Sequence, residues 1–231
     1  MEKRQGTGER GFLVLAAAVL LTAGTYGRSS AASPRSLCGI PHPSDSRIEW
    51  RCEKRAAKKT PQQLWGERWI DVLRFNRLDR VHFHEVNSLK VPVDPTALAG
   101  FTPMPLLYPP AEKEEKYILI DQTEQFLGAY AFGRLVFSTP ITTGTVGSRT
   151  PTGIFRITAF DRDHRSTDYP LEGSGEPYPM RHGLMFHQDE RRMQYWIHGR
   201  DMPGYPGSHG CIGLYDEQMT HNYLGEPSRA V

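Results

Sequence analysis

From Tyr117 onward the sequence is cut into short runs of β-branched, aromatic and aliphatic residues by glycine- and proline-rich loops, and this constrains the fold more than any other feature. Tyr117-Ile118-Leu119-Ile120, Phe126 to Phe132, Leu135 to Ser138, Ile154 to Thr158, Leu184 to His187 and Gln194 to Ile197 each have the length and composition of a strand. The two runs flanking Gly133-Arg134 read as a hairpin. Only Asp216 to Tyr223 suggests a helix, and a short one. Short strands, many turns and no long helix define a mostly β domain.

Upstream of it the texture changes several times. Residues 33–60 are rich in Pro, Ser and basic residues and read as an irregular arm. Residues 61–93 read as a small α+β module. Leu64, Trp65, Trp69, Val72, Leu73 and Phe75 recur near helical spacing, and Ser88 to Val91 is a short strand stopped by Pro92. Val72 to Asp79 followed by Leu89-Lys90-Val91-Pro92 resembles a degenerate LysM repeat, which implies binding to cell-wall glycan; the same residues also fit a helix-turn-strand cap packed on the main domain. Residues 94–114 carry Pro95, Pro103, Pro105, Pro109 and Pro110 and read as a linker. The β domain then occupies 115–231.

Charge and cysteine usage narrow the function. Of 28 basic and 26 acidic residues, four and two lie within residues 1–32, which leaves 24 of each in the body. A neutral body lacks the electrostatic footprint of a nucleic-acid binder. Lys3, Arg4 and Arg10 precede an uncharged apolar run from Phe12 to Ala23, too short for a comfortable membrane span but suited to a secretory signal with small residues at Ser30-Ala31-Ala32. Residues 1–32 are therefore expected to be a signal peptide or an uncleaved N-terminal anchor, and either places the body in the periplasm or at the cell surface. No other membrane association is expected, and oligomeric state is open. Three cysteines in an exported chain suggest one bridge and one free thiol, so Cys38 and Cys52 are expected to pair and Cys211 to stay free.

Cys211 lies in Gly207-Ser208-His209-Gly210-Cys211, after Ile197-His198-Gly199 and the turn-rich Pro203-Gly204-Tyr205-Pro206-Gly207. A thiol needs a neighbouring base to become an attacking thiolate, and imidazole supplies one. The loop is suited to folding Cys211 back beside His198, with His209 as a second histidine at the site. Gly210 permits a close approach of backbone to an acyl group, and amides around 209–211 are placed to hold an oxyanion. A zinc site made of His198, His209 and Cys211 is the rival chemistry, but the spacing fits no usual zinc-hydrolase helix. No metal or other cofactor is expected. His82 and His84 read as surface residues, Tyr195 and Trp196 as packing, and His182 and His187 as cleft-edge residues.

The order His198 before Cys211 is the reverse of papain-like enzymes. Together with Ile141-Thr142-Thr143-Gly144 and Thr150-Pro151-Thr152-Gly153-Ile154-Phe155, it is similar to the L,D-transpeptidase catalytic domain (YkuD-type) family, over roughly residues 115–223. The resemblance implies a β-sandwich catalytic domain with a short C-terminal helix. It also implies a peptidoglycan substrate, with Cys211 attacking the stem carbonyl between diaminopimelate and D-alanine to form a thioester. His198 is then the general base, its other ring nitrogen held by a carbonyl near Gly199. His209 and Ser208 shape the site, and Gly199, Ser208 and Gly210 serve substrate or oxyanion. An amine resolves the thioester in cross-linking or exchange. Water resolves it in L,D-carboxypeptidase trimming, and a non-catalytic wall-binding protein is the reading from another class. Two departures stand out. The family more often has Arg at the position of Gly213, where it would pair with a substrate carboxylate, and it usually continues past the cysteine for longer than the twenty residues present, so either a truncated C-terminus or a differently closed sheet edge is expected.

Overall fold

The computed structural model describes residues 13–17, 36–171 and 174–216. Most of the expected signal segment and of the expected Asp216–Tyr223 helix lies outside the described residues. The strands are β1 (Leu13–Ala17), β2 (Trp50–Lys54), β3 (Ser88–Pro92), β4 (Tyr117–Asp121), β5 (Phe126–Ala131), β6 (Arg134–Thr142), β7 (Gly153–Arg156), β8 (Ala159–Asp161), β9 (Arg165–Pro170), β10 (Pro177–Pro179), β11 (Gly183–Gln188), β12 (Gln194–Arg200) and β13 (Ile212–Tyr215). Two short helices, α1 (Pro61–Trp65) and α2 (Trp69–Phe75), lie between β2 and β3. The domain is mostly β.

Nine strands form one mixed sheet in the order β7-β1-β4-β5-β6-β13-β12-β11-β8. β6 is where it turns back on itself: most of the strand pairs with β5, while Ile141 and Thr142 pair with β13. Ile118, Ile120, Leu127 and Ile141 from one half then meet Phe186, Ile197 and Ile212 from the other in a single buried core. Alternate residues of β4 face this core, Ile118 and Ile120, as the period of a strand requires, while Tyr117 and Leu119 are buried on its other face. β1, inside the run expected to be an export signal, pairs parallel to β4 and antiparallel to β7, so Leu13–Ala17 of that run is a strand of the sheet. The hairpin turn falls one residue earlier than expected. Ala131 pairs with Arg134, and the two turn residues are Phe132 (φ 47°) and Gly133 (φ 73°). Positive φ at both positions is the type I′ geometry of a two-residue hairpin.

The segment read as a linker is packed in place. Its prolines prevent regular structure, yet Met104 and Ala111 are buried with Tyr117, Leu119, Phe126 and Tyr130 on the outer face of β4 and β5. The Tyr130 hydroxyl donates to Pro105 O at 3.0 Å.

Arm and module are one unit as well. β2 comes from the arm and pairs antiparallel with β3 of the module, Cys38 and Cys52 are bridged, and Leu37 shares a core with Val72, Leu73, Phe75, Leu89 and Val91. The pairing is not visible in the sequence, because a strand contributed by polar, basic residues (Trp50-Arg51-Cys52-Glu53-Lys54) carries little apolar signal. The strand–helix–helix–strand unit is a cap seated on the β domain. Arg77, at the end of α2, donates through Nε to Glu124 O at 2.9 Å and through Nη2 to Glu124 Oε2 at 3.1 Å. The same carboxylate accepts from Ser44 N at 2.8 Å and from Ser44 Oγ at 2.6 Å. Lys90 of β3 pairs with Asp45, which lies 3.7 Å from Arg77. Arm, helix, cap strand and the β4–β5 turn thus meet at one desolvated charge cluster.

A buried pair broken on one side leaves an uncompensated charge. Glu124→Gln is expected to lower the unfolding free energy by roughly 3–5 kcal/mol in urea titration, while Arg77→Met combined with Glu124→Leu costs markedly less.

Candidate active site

β12 and β13 lie side by side and parallel, with Ile197 opposite Ile212 and His198 opposite Gly213. Cys211 immediately precedes β13. The register therefore brings His198 and Cys211 into one cleft of about 500 Å³, also lined by His164, Tyr169, Tyr178, Arg200 and His209. Cys211 is the one free cysteine and is partly exposed, whereas His198 is buried.

The connection between these strands, residues 201–211, is irregular and is braced from three sides. Asp79 of the cap accepts from Met202 N at 2.6 Å and donates its own amide to Met202 O at 2.8 Å. Thr142 Oγ1 donates to Tyr205 O at 2.9 Å and accepts from Gly207 N at 3.1 Å. Ser208 N donates to Thr143 O, and Thr145 N to Ser208 O, both at 3.0 Å. Thr150 Oγ1 accepts from Gly144 N at 2.9 Å and donates to Gly210 O at 2.8 Å. The Thr-Thr-Gly and Thr-Pro-Thr-Gly segments are thus the scaffold of the cysteine loop. Gly144 is required there, since a Cβ would sit 1.9 Å from Ser148 O.

Within the loop the expected residues fall into different places. His198 Nδ1 lies 2.8 Å from Gly199 O; donation to that carbonyl leaves Nε2 as the acceptor. Ser208 is buried, donates Oγ–H to Cys211 O at 2.6 Å and accepts from Gly210 N at 3.0 Å, so it holds the turn around the thiol. Gly199 N donates to Arg181 O at 2.9 Å. The amides of Gly199 and Gly210 are both engaged, which removes them as oxyanion donors in this geometry. Gly210 has φ +119°, and a Cβ there would lie 2.7 Å from the Tyr195 ring, so packing and backbone conformation account for the glycine. His209 is exposed and stacks on Tyr169 of β9, ring centroids 4.1 Å apart and planes 12° apart. Among the described residues no group of three His, Cys, Asp or Glu side chains is arranged to hold a metal.

Electrostatics leave the central pair neutral. Burial pushes His198 down to about 4; the bond to Gly199 O opposes this, while the Arg200 and His164 charges add to it. Burial likewise raises the Cys211 thiol, against the Trp196 backbone amide and the Arg200 charge. The resting state is thiol and imidazole.

Several participants were not visible in the sequence. His82, expected at the surface, lies against Asp79 (Nδ1 to Oδ2, 2.9 Å) and Asp201 (Nε2 to Oδ2, 3.4 Å), because residues 82–84 form a helical turn capped by Asp79. Burial lowers its pKa, but the Asp79 bond and the Asp79, Asp201 and Glu85 charges outweigh that and raise it. Tyr178 donates to Asp201 Oδ1 at 2.7 Å, and its ring packs edge-on to His198. His164 stacks on Trp196 in the cleft, where His182 and His187 do not reach. Arg200 is two residues from His198 on the same strand face, and that spacing was the available signal. Its side chain crosses Gly213: a Cβ at 213 would lie 2.0 Å from Arg200 Cδ and 2.1 Å from Cγ.

Residues 115–223 match the family model described as L,D-transpeptidase catalytic domain (YkuD), so this segment is similar to that family. Solved structures with similarity include an L,D-transpeptidase from Mycobacterium smegmatis (18% identity, 48% of this chain and 54% of that one, TM-score 0.38). Others are one from Stackebrandtia nassauensis (23%, 48% and 51%, TM-score 0.36) and one from Enterococcus faecium (23%, 49% and 47%, TM-score 0.37). The chain spans about half the length of these structures. No curated protein sequence matches it.

The pKa shifts fix two signs. His198, lowered to about 4, and His42, lowered to about 3 by burial and the Arg77 charge, each contribute stability present above their ordinary value near 6.5. That contribution is lost as pH falls through 6.5 toward 4 and 3. Urea midpoints measured between pH 7 and 4.5 should therefore fall, and His42→Gln should flatten the slope. Cys211 should react with iodoacetamide more slowly than free cysteine at pH 7, with a rate still climbing above pH 9, as read by mass spectrometry.

Proposed function

We propose that this chain is an exported cysteine acyltransferase that remodels peptidoglycan, an L,D-transpeptidase acting on tetrapeptide stems through a Cys211 thioester. The observation that carries the reading is that the free thiol shares one cleft with a buried imidazole whose Nδ1 is tied to Gly199 O, so that Nε2 is the nitrogen available to take a proton.

The neutral pair suits a concerted start. As Cys211 Sγ bonds to the stem carbonyl, its proton passes to His198 Nε2. With the Gly199 and Gly210 amides engaged, this reading assigns the oxyanion to the His209 and Cys211 amides beside the thiol. Collapse of the tetrahedral species breaks the peptide bond, and His198 returns the proton to the departing amine of D-alanine. An acceptor amine then attacks the thioester, loses its proton to His198, and the released sulfur takes that proton back. Water in place of the amine gives a trimmed stem by the same route. Ser208, Thr150 and Thr142 position the loop, and His209 with Tyr169 forms one wall of the cleft.

Purified protein incubated with disaccharide-tetrapeptide, with and without a D-amino acid, should show an acyl-enzyme lacking D-alanine and then the exchanged product in mass spectra. Cys211→Ala should abolish both, and His198→Gln should slow acylation by at least about a hundredfold. Absence of adduct and product with the unaltered protein would overturn the reading.

A further inference from the structure

At the family's usual arginine position this chain has Gly213, yet the space above Gly213 is filled. β12 and β13 are in parallel register, and the Arg200 stem lies so close over Gly213 that any side chain at 213 would collide with Arg200 Cγ and Cδ, and with Thr142 Cγ2 at 2.9 Å. Arg200 and a residue larger than glycine at 213 therefore exclude one another. The slot accepts a single long side chain, and here it arrives from the neighbouring strand.

The guanidinium ends in the catalytic cleft, where its charge acts on Cys211, His198 and Tyr178. Among the described residues its Nε is buried with no hydrogen-bond partner. The nearest carboxylate, Asp201, has Oδ1 at 3.5 Å from Nε, and that oxygen already accepts from Tyr178 at 2.7 Å. Asp201 also faces His82 at 3.4 Å, so its remaining capacity is directed toward the cap. A partly buried guanidinium in the cleft, held by a loose ion pair whose oxygen is already hydrogen-bonded elsewhere, is a fork suited to a planar anion.

We propose that Arg200, laid across Gly213, is the specificity-determining residue that binds the terminal carboxylate of the stem's D-alanine. The assignment rests on the transpeptidase reading above. That carboxylate is the charged group nearest the scissile carbonyl on the leaving side, and it disappears from the cleft with the leaving residue. Arg200 would thus select the donor stem and then release its hold when the thioester forms, clearing the same side of the cleft for the acceptor.

The test uses the full chain with two tetrapeptide stems, one ending in D-alanine with a free carboxylate and one ending in its carboxamide. Acylation of Cys211 is timed by mass spectrometry. The unaltered protein should prefer the acid by at least about tenfold, as loss of a charge-assisted bond implies. Arg200→Gln should acylate both at similar rates, and Arg200→Lys should keep only part of the preference. Arg200→Gly should lose it, and Arg200→Gly combined with Gly213→Arg should regain it, because the second change returns a guanidinium to the vacated slot. A purely structural role would not move the acid-to-amide ratio. Iodoacetamide labelling of Cys211 and thermal melts report whether each variant is folded, and the paired relocation supplies a readout if Arg200→Gln is not. A folded Arg200→Gln that retains the full preference overturns this inference while leaving the transpeptidase reading intact. Failure of the unaltered protein to acylate with either stem overturns both.

Discussion

The parallel pairing of β12 with β13 is the constraint on which the site depends. Parallel neighbours cannot be joined by a tight turn; the chain must travel back, usually through a helix. Here residues 201–211 make that return without one, so the loop's backbone groups need partners from elsewhere. Thr142, Thr143, Thr145 and Thr150 supply them from the β domain, and Asp79 supplies them from the cap. The reward is geometric. A strand residue and the residue just before its parallel neighbour come to share one cleft, with 12 positions of sequence between the histidine and the cysteine.

That dependence explains why the cap and the β domain cannot be treated as separate modules. The Arg77–Glu124 contact seats the cap on the β4–β5 turn, and Asp79 then reaches the return loop from the fixed cap. His82 and Tyr178 converge on Asp201 from opposite sides, so the residue next to Arg200 is held by both parts of the molecule.

Much of this was legible in the sequence, for reasons that differ by residue. The strand runs were visible because strands buried on both faces read as short continuous apolar runs between glycine- and proline-rich loops, and Cys211 with His198 because few other roles demand a free thiol in a glycine-rich turn. The Thr-Thr-Gly and Thr-Pro-Thr-Gly segments were visible as motifs, but their task as braces required knowing which loop they touch. β2 was hidden by its polar composition, and the packed 94–114 segment by prolines that suppress regular structure without preventing burial. His82 looked like a surface residue because its partner Asp201 is remote in sequence. Gly213 and Arg200 illustrate the same limit. Each is ordinary alone, and their mutual exclusion exists only once the register between two strands is fixed.

The neutral resting state of Cys211 also bears on chemical durability. Peroxides and disulfides are attacked by thiolates, and a thiol that stays protonated is a poor target for both. On the proposed transpeptidase reading, burial that raises the Cys211 pKa is a form of storage: the sulfur would stay inert between turnovers and acquire its nucleophilic character only as His198 takes the proton. Such a site gives up some intrinsic reactivity and in exchange keeps an unpaired cysteine from being consumed by oxidants before a substrate arrives.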